Sequence, residues 1–156
     1  MLIKSPRLSD LTPQKEGQTH YNIYSQSRTE LGRFLSHFQH HPMETEDGQF
    51  DSLEGYWYWL YTKDDRLRYL SGYDAKRLGQ SSRRLTVNET LIMHKIIAAT
   101  KIKLDTMPLH LLKELHTSRL PLIHAYVHQG RYTIQTSMDE IIKYINHRRV
   151  FLKIEY

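Results

Sequence analysis

Hydrophobic residues recur along this chain with two periods, and the switches between them mark its helices and strands. In "RTELGRFLSHF" (28–38), Leu31, Phe34, Leu35 and Phe38 fall at helical spacing, and Pro42 is expected to end the segment. Residues 1–20 are mostly polar, with Pro6, Pro13 and Gly17, and read as an irregular lead-in to a short strand at "YNIYS" (21–25). "METEDGQF" (43–50) reads as a turn about Asp47-Gly48. Next comes "FDSLEGYWYWLYTK" (50–63), whose helix is apolar nearly all round, which is the pattern of a buried helix. Asp51 and Glu54 have capping-box spacing, which starts that helix near Ser52.

Further along, "YDAKRLG" (73–79) predicts a short helix with Asp74 as its cap and Gly79 as its stop. Thr86 and Glu89 form a second capping-box pair, opening a helix to about Lys103. Pro108 suits the first turn of the next helix, which carries Leu109, Leu112 and Leu115. The β-branched and aromatic content of "LPLIHAYVHQGRYTIQT" (120–136), with Gln129-Gly130 in its middle, predicts a hairpin. Ser137 and Glu140 then cap a last helix through Ile145, and "VFLKIEY" (150–156) alternates as a closing strand. The sum is a mainly α, helix-rich α+β fold: a single domain over 1–156 with about five helices and a small antiparallel sheet.

A length of 156 residues fits one domain with its own core. The net charge of +5 favours anionic partners such as nucleic acid, nucleotides or phosphorylated metabolites. No block of five like charges occurs, so a merely solubilising basic surface has equal weight. The chain has no Cys, which excludes disulfides and thiolate metal sites. No apolar run reaches the roughly 18 residues of a membrane span, and "MLIKSPRLSD" lacks the apolar run of a signal peptide. The expectation is a soluble cytoplasmic protein with no membrane partner.

Candidate chemistry gathers on the aromatic helix. Positions i, i+4 and i+7 place Glu54, Tyr58 and Tyr61 on one face, with Leu53, Trp57 and Leu60 on a more apolar neighbour. Rings with one polar tip beside a carboxylate suit a planar base and a ribose, whose hydroxyls Glu54 could bind or whose chemistry it could serve as acid or base. The same residues also fit a packed core, with Glu54 as the returning carboxylate of the capping box. His37 and His41 would share a helical face, but no third ligand follows at diagnostic spacing, so no metal or other cofactor is expected. His124, Tyr126 and His128 share one strand face, read as a half-exposed sheet surface. Phosphate-loop and nucleophile-elbow motifs do not occur. "AKRLGQSSRR" (75–84) offers four cations within nine residues, either a phosphate grip led by Lys76 and Arg77 or a solvated basic face.

In this order, "GRFLSHF", "DGQFDSLEGYWYWL" and "AKRLGQ" resemble the NADAR, or YbiA-like, superfamily. Its members typically read G-x-L-S-N-F, then D-G-x-x-[WY]-x-[ST]-x-E-H-x-x-Q-x-x-K, then A-K-x-L-G-R. The likeness spans roughly residues 21 to 130. By that resemblance Ser36 and Phe38 match the first motif, with His37 in place of Asn, and Glu54 matches the motif Glu. Gly55, Tyr58 and Tyr61 replace His, Gln and Lys; Lys76, Leu78 and Gly79 match the third motif, with Gln80 for Arg. His124 falls where a late Glu is expected.

The resemblance implies a compact, mainly helical fold and an N-glycosidase-type hydrolase acting on an ADP-ribosyl or ribosylamino nucleotide-like substrate. One such substrate is ADP-ribose attached to guanine in DNA. Glu54 would be the catalytic residue. Tyr24, Ser36, His37, Phe38, Trp57, Tyr58 and Tyr61 would contact the ligand, and Lys76 and Arg77 its phosphates. Family members occur in bacteria and phages, and the small basic chain suits a phage source, which would place it in the host cytoplasm. In the family a site lysine is thought to attack the sugar carbon, and Tyr61 stands in its place. Lys63 would face the opposite side of a regular helix; Lys101 or Lys103 from the later helix could reach in instead, which nothing in the sequence shows. The alternatives are an inactive ADP-ribose or nucleotide-binding module on the same fold, favoured by the exchanges at Gly55, Tyr58 and Tyr61, and a basic nucleic-acid or protein-interaction protein.

Overall fold

The computed structural model describes residues 7–151. In chain order its strands and α-helices are β1 (Tyr21–Asn22), α1 (Glu30–Leu35), β2 (Met43–Thr45), β3 (Gly48–Phe50), α2 (Leu53–Thr62), α3 (Gly72–Ser81), α4 (Glu89–Asp105), α5 (Leu109–Thr117), β4 (Leu122–Ile123), β5 (Ala125–His128), β6 (Arg131–Ile134) and α6 (Asp139–Phe151). The helix-rich α+β class expected from the sequence is the class found. Among the described residues the strands form three two-stranded pairings: β1 with β4 parallel, β2 with β3 and β5 with β6 antiparallel. No described helix is long and apolar enough to cross a membrane. The chain groups into two compact units, one of residues up to Ser36 with those from Pro108 on, the other His37–Met107.

In the first unit the predicted hairpin is present, and Gln129 and Gly130 both take positive φ, 51° and 72°, in its two-residue turn. Strand β1 is short, and the Asn22 side chain extends its pairing by bonding both the N–H and the carbonyl of Ala125 at 2.9 Å. Helix α6 runs past Ile145 to Phe151, so Val150 and Phe151 are helical and not the start of a strand; residues 152–156 lie outside the described residues. One interaction keeps that last turn helical. Arg149 is fully buried, and its guanidinium donates to the carbonyl of Leu115 in the last turn of α5 and to those of Ser118 and Leu120 just beyond it. Those carbonyls have no helical partner of their own.

The second unit is built round α2, which is buried on nearly every side as its composition predicts. Asp51 does not cap it. Ser52 does, its hydroxyl accepting the Gly55 N–H at 3.0 Å, so Glu54 is one position too early to complete a capping box. Similarly, Asn88 caps α4 in place of Thr86, its side chain accepting the Leu91 N–H at 3.1 Å. The turn at 46–47 belongs to a hairpin that periodicity alone was too short to show, β2–β3. Its Asp47 carboxylate accepts from the Tyr56 hydroxyl (2.6 Å) and Lys95 (2.9 Å), tying hairpin, α2 and α4 together.

Two sequence expectations fail here for one reason. Helix α1 stops at Leu35, not at Pro42, so His37 and His41 never share a helical face. The freed carbonyls of His37 and Phe38 instead accept N–H groups at the first turns of α2 (Glu54, 3.0 Å) and α3 (Gly72, 3.1 Å). At the far ends of these two helices Ser82 donates to Asp64 at 3.2 Å, so α2 and α3 run side by side in the same direction. Gly79 is not the stop of α3 but an interior residue facing α2. A Cβ there would lie 2.1 Å from the Tyr58 ring.

Replacing glycine by alanine in a helix interior normally stabilises by about 0.5–1 kcal/mol. At Gly79 the overlap reverses the sign: we expect Gly79→Ala to lower stability by about 1–3 kcal/mol, the usual cost of overpacking. Urea unfolding of both proteins measures this, and a gain in midpoint would contradict the close α2–α3 contact.

Candidate functional site

Contact between α2 and α3 brings Glu54 and Lys76 into one electrostatic neighbourhood, Glu54 one turn before Tyr58 and Lys76 one turn before Gly79. Loss of solvent pushes the Glu54 carboxyl up to about 7, and the Lys76 charge pulls in the opposite direction without restoring an ordinary value. Such a group is part protonated and part ionised near neutral pH, and can both give and take a proton. Its own N–H is held by the His37 carbonyl. His37 in turn lies 6.4 Å, ring to ring, from Trp57, the half-exposed indole of α2. Phe38 follows, with the Lys76 ammonium 6.0 Å from its ring centre. Glu54, His37, Phe38, Trp57 and Lys76 therefore form one cluster at the N-terminal ends of α2 and α3.

Other predicted residues lie elsewhere or inward. Tyr58 and Tyr61 are each only 8 % exposed, Tyr58 against Gly79 and Tyr61 beside Trp57 at 5.8 Å. Burial and Glu89 raise the Tyr61 hydroxyl pKa, with Arg84 opposing. Arg77 points to solvent and pairs with Asp74 at 2.9 Å. Tyr24 and Ser36 belong to the first unit: Tyr24 lies 6.0 Å from the Tyr126 ring, and Ser36 is buried as the C-cap of α1. His124 is there too, 2.6 Å through Nδ1 from the Ile23 carbonyl.

Among the substitutes for the motif lysine, Lys63 caps α2 in left-handed geometry with its ammonium 4.0 Å over Trp59. Lys101 is exposed and paired with Asp105 at 2.9 Å. Lys103 differs from both, being 2 % exposed on the inner face of α4, where burial pushes its ammonium down to about 7. Its charge, behind burial, also helps to lower the pKa of His41, whose Nε2 lies 2.8 Å from Thr106 Oγ1.

Two residues near the cluster were not singled out from the sequence, Arg84 having been counted only among the four cations of 75–84. Arg84 lies over Tyr61 (5.0 Å) and Tyr58 (5.9 Å), from an irregular stretch with no periodicity to place it. Tyr73 touches Phe38, and its i, i+3 spacing from Lys76 was the signal available. A cavity of about 340 Å³ occurs elsewhere, lined wholly by first-unit residues such as Ile123, His124, Asp139 and Lys143, and includes none of the predicted site residues.

The raised Glu54 pKa fixes a sign for stability. The folded state keeps a proton that the unfolded chain releases above about 4.5, so Glu54 costs no stability in acid and progressively more as pH rises through about 7. Glu54→Gln should therefore gain in urea midpoint, relative to the native chain, between pH 5 and pH 8. An unchanged difference across that range would mean that the carboxyl titrates normally.

No family model matches the sequence, and no curated protein matches it. Among solved structures, the chain is similar to the NMR structure of the E. coli protein YbiA, with a TM-score of 0.56 and 18 % identity over 96 % of this chain and 90 % of that one. An identity this low speaks for the fold alone, and the fold of this chain is a divergent YbiA-like one.

Proposed function

We propose that the cluster at the N-terminal ends of α2 and α3 binds an ADP-ribosyl or ribosylamino nucleotide-like ligand and hydrolyses its N-glycosidic bond. The observation that carries the reading is the Glu54 carboxyl held at about 7 beside the Lys76 ammonium. Protonated Glu54 gives its proton to the departing nitrogen as the C1′–N bond breaks. The resulting carboxylate then faces the oxocarbenium-like sugar and stabilises its positive charge. Water adds to C1′, and its proton returns to Glu54. Trp57, His37 and Phe38 supply flat surfaces for the ligand, and Lys76 a cation for phosphate.

Lys103 supports the same reading. An amine with a pKa of about 7 is substantially neutral at physiological pH, the state in which lysine adds to a sugar carbonyl carbon. In this form of the reading the neutral Lys103 amine, in place of water, adds to C1′ as the C1′–N bond breaks; the adduct opens to an imine, and water then hydrolyses that imine, releasing the sugar and restoring the amine. The second reading, a binding module without turnover, is favoured by the burial of Tyr61 at the lysine position of the motif.

Incubation with ADP-ribosylated DNA separates the two. We expect release of free ADP-ribose by the native chain and a fall of about 10²–10⁴-fold in Glu54→Gln, the usual worth of a positioned acid. The Glu54→Gln variant should still quench Trp57 and Trp59 fluorescence on titration with ADP-ribose. Borohydride should trap the sugar on the native chain but not on Lys103→Met. Binding without release by the native chain supports the module, and neither binding nor release removes both readings.

A further inference from the structure

Tyr73 belongs to none of the motifs, yet it is an exposed aromatic residue in ring contact with Phe38 of the Glu54 cluster. It is the second residue of α3 and 54 % exposed. Its ring meets Phe38 with centroids 5.0 Å apart and planes at 75°. An edge-to-face contact of this kind orients a ring without covering it. The backbone is fixed at the same place, because Gly72 takes a φ of 56° and donates its N–H to the Phe38 carbonyl at 3.1 Å. One turn on, Lys76 carries its ammonium to 6.0 Å from the Phe38 centroid. Lys76 is also the cation that acts on Glu54. Tyr73 and Phe38 are thus in ring contact, and Lys76 links them electrostatically to Glu54.

A tyrosine whose only task was to shield Phe38 would lie flat on it and lose most of its own exposure. Tyr73 does the reverse: it stays 54 % exposed while its edge-to-face contact with Phe38 holds it in place. A ring kept in place before a ligand arrives loses little freedom when a second flat ring stacks on it. We propose that Tyr73, supported by Phe38, is a base-stacking residue that takes the planar heterocycle of the nucleotide-like ligand. The inference rests on the reading of the Glu54 cluster as a nucleotide-ribose site and adds to it where the base lies. Stacking on an aromatic side chain needs no particular edge pattern on the base, so this subsite tolerates different heterocycles.

The test compares two probes, ADP-ribose, which carries adenine, and ribose 5-phosphate, which carries no base, on the native chain, Tyr73→Phe and Tyr73→Leu. Calorimetric titration should show ADP-ribose binding weakened about tenfold in Tyr73→Leu, which corresponds to about 1.4 kcal/mol. Tyr73→Phe, which keeps the ring, should stay within about twofold of native, and ribose 5-phosphate affinity should not change in either variant. Urea midpoints should also match, since the ring is exposed. Equal ADP-ribose binding by Tyr73→Leu and the native chain overturns the stacking role and leaves the Glu54 site standing. An equal loss for both probes, or a lowered midpoint, makes Tyr73 structural and overturns it as well. If the native chain binds neither probe, the nucleotide-site reading falls, and the stacking role with it.

Discussion

The approach of Gly79 to the ring of Tyr58 is the constraint on which the second unit turns. With no side chain at 79, α3 can lie against α2 along its length. That contact sets the offset between the helices, and the offset brings Lys76 within electrostatic reach of Glu54. It also brings both N-termini to the carbonyls of His37 and Phe38, which must leave the helical path of α1 to reach them. Gly55 works on another side of α2. A Cβ there would lie 2.5 Å from the Leu67 carbonyl, so the turn after α2 packs directly on its backbone. With the Asp47–Tyr56–Lys95 tie on the hairpin side, α2 is enclosed, and the lost solvation of Glu54 follows from that enclosure.

Glu54 and Lys103 are two charges moved in opposite directions by the same cause. Burial favours the neutral form of each, which raises an acid and lowers a base, and here both arrive at about 7. A carboxyl and an amine brought to neutrality within one unit form the sort of pair from which acid, base and nucleophile are drawn. Structural ion pairs move the other way. Asp47 works against its own burial, but the Tyr56 hydroxyl and the Lys95 ammonium outweigh it and hold its pKa below the usual range. A structural tie of this sort gains stability from its charge, whereas the Glu54 charge costs stability, and it is this costly group that the proposed chemistry uses.

Periodicity made the buried aromatic helix and the hairpin at 125–134 legible, because long apolar runs and a Gln-Gly turn have few other meanings. Caps were harder. Asp51 and Ser52, or Thr86 and Asn88, are neighbouring residues of capping type, and only geometry shows which side chain accepts the helix N–H. Gly79 illustrates a deeper limit. A glycine that ends a helix and one that admits a neighbouring ring look alike in sequence, and what separates them is Tyr58, twenty-one residues away. Glu54 was found through a motif, but its desolvation depends on side chains from several elements and leaves no local trace. Tyr73 was missed for that same reason, and Arg84 was seen only as one cation of a basic stretch.

The three exchanges on α2 share a physical direction. His gives way to Gly55, which admits the backbone of the following turn. Gln gives way to Tyr58, which packs on Gly79, and Lys to Tyr61, which is buried beside Trp57. Each exchange removes a polar group from the motif face and fills or closes space beside it. Of the α2 residues in the candidate set, only Glu54 and Trp57 keep partial access to solvent. The chemistry proposed for this site therefore draws its other groups from outside α2. Lys76 on α3 already acts on Glu54, and Lys103 on α4 has the desolvated amine that α2 no longer provides. The departures from the motif concentrate in the helix that the resemblance made most recognisable, and what they leave in place is Glu54, whose carboxyl burial pushes up to about 7.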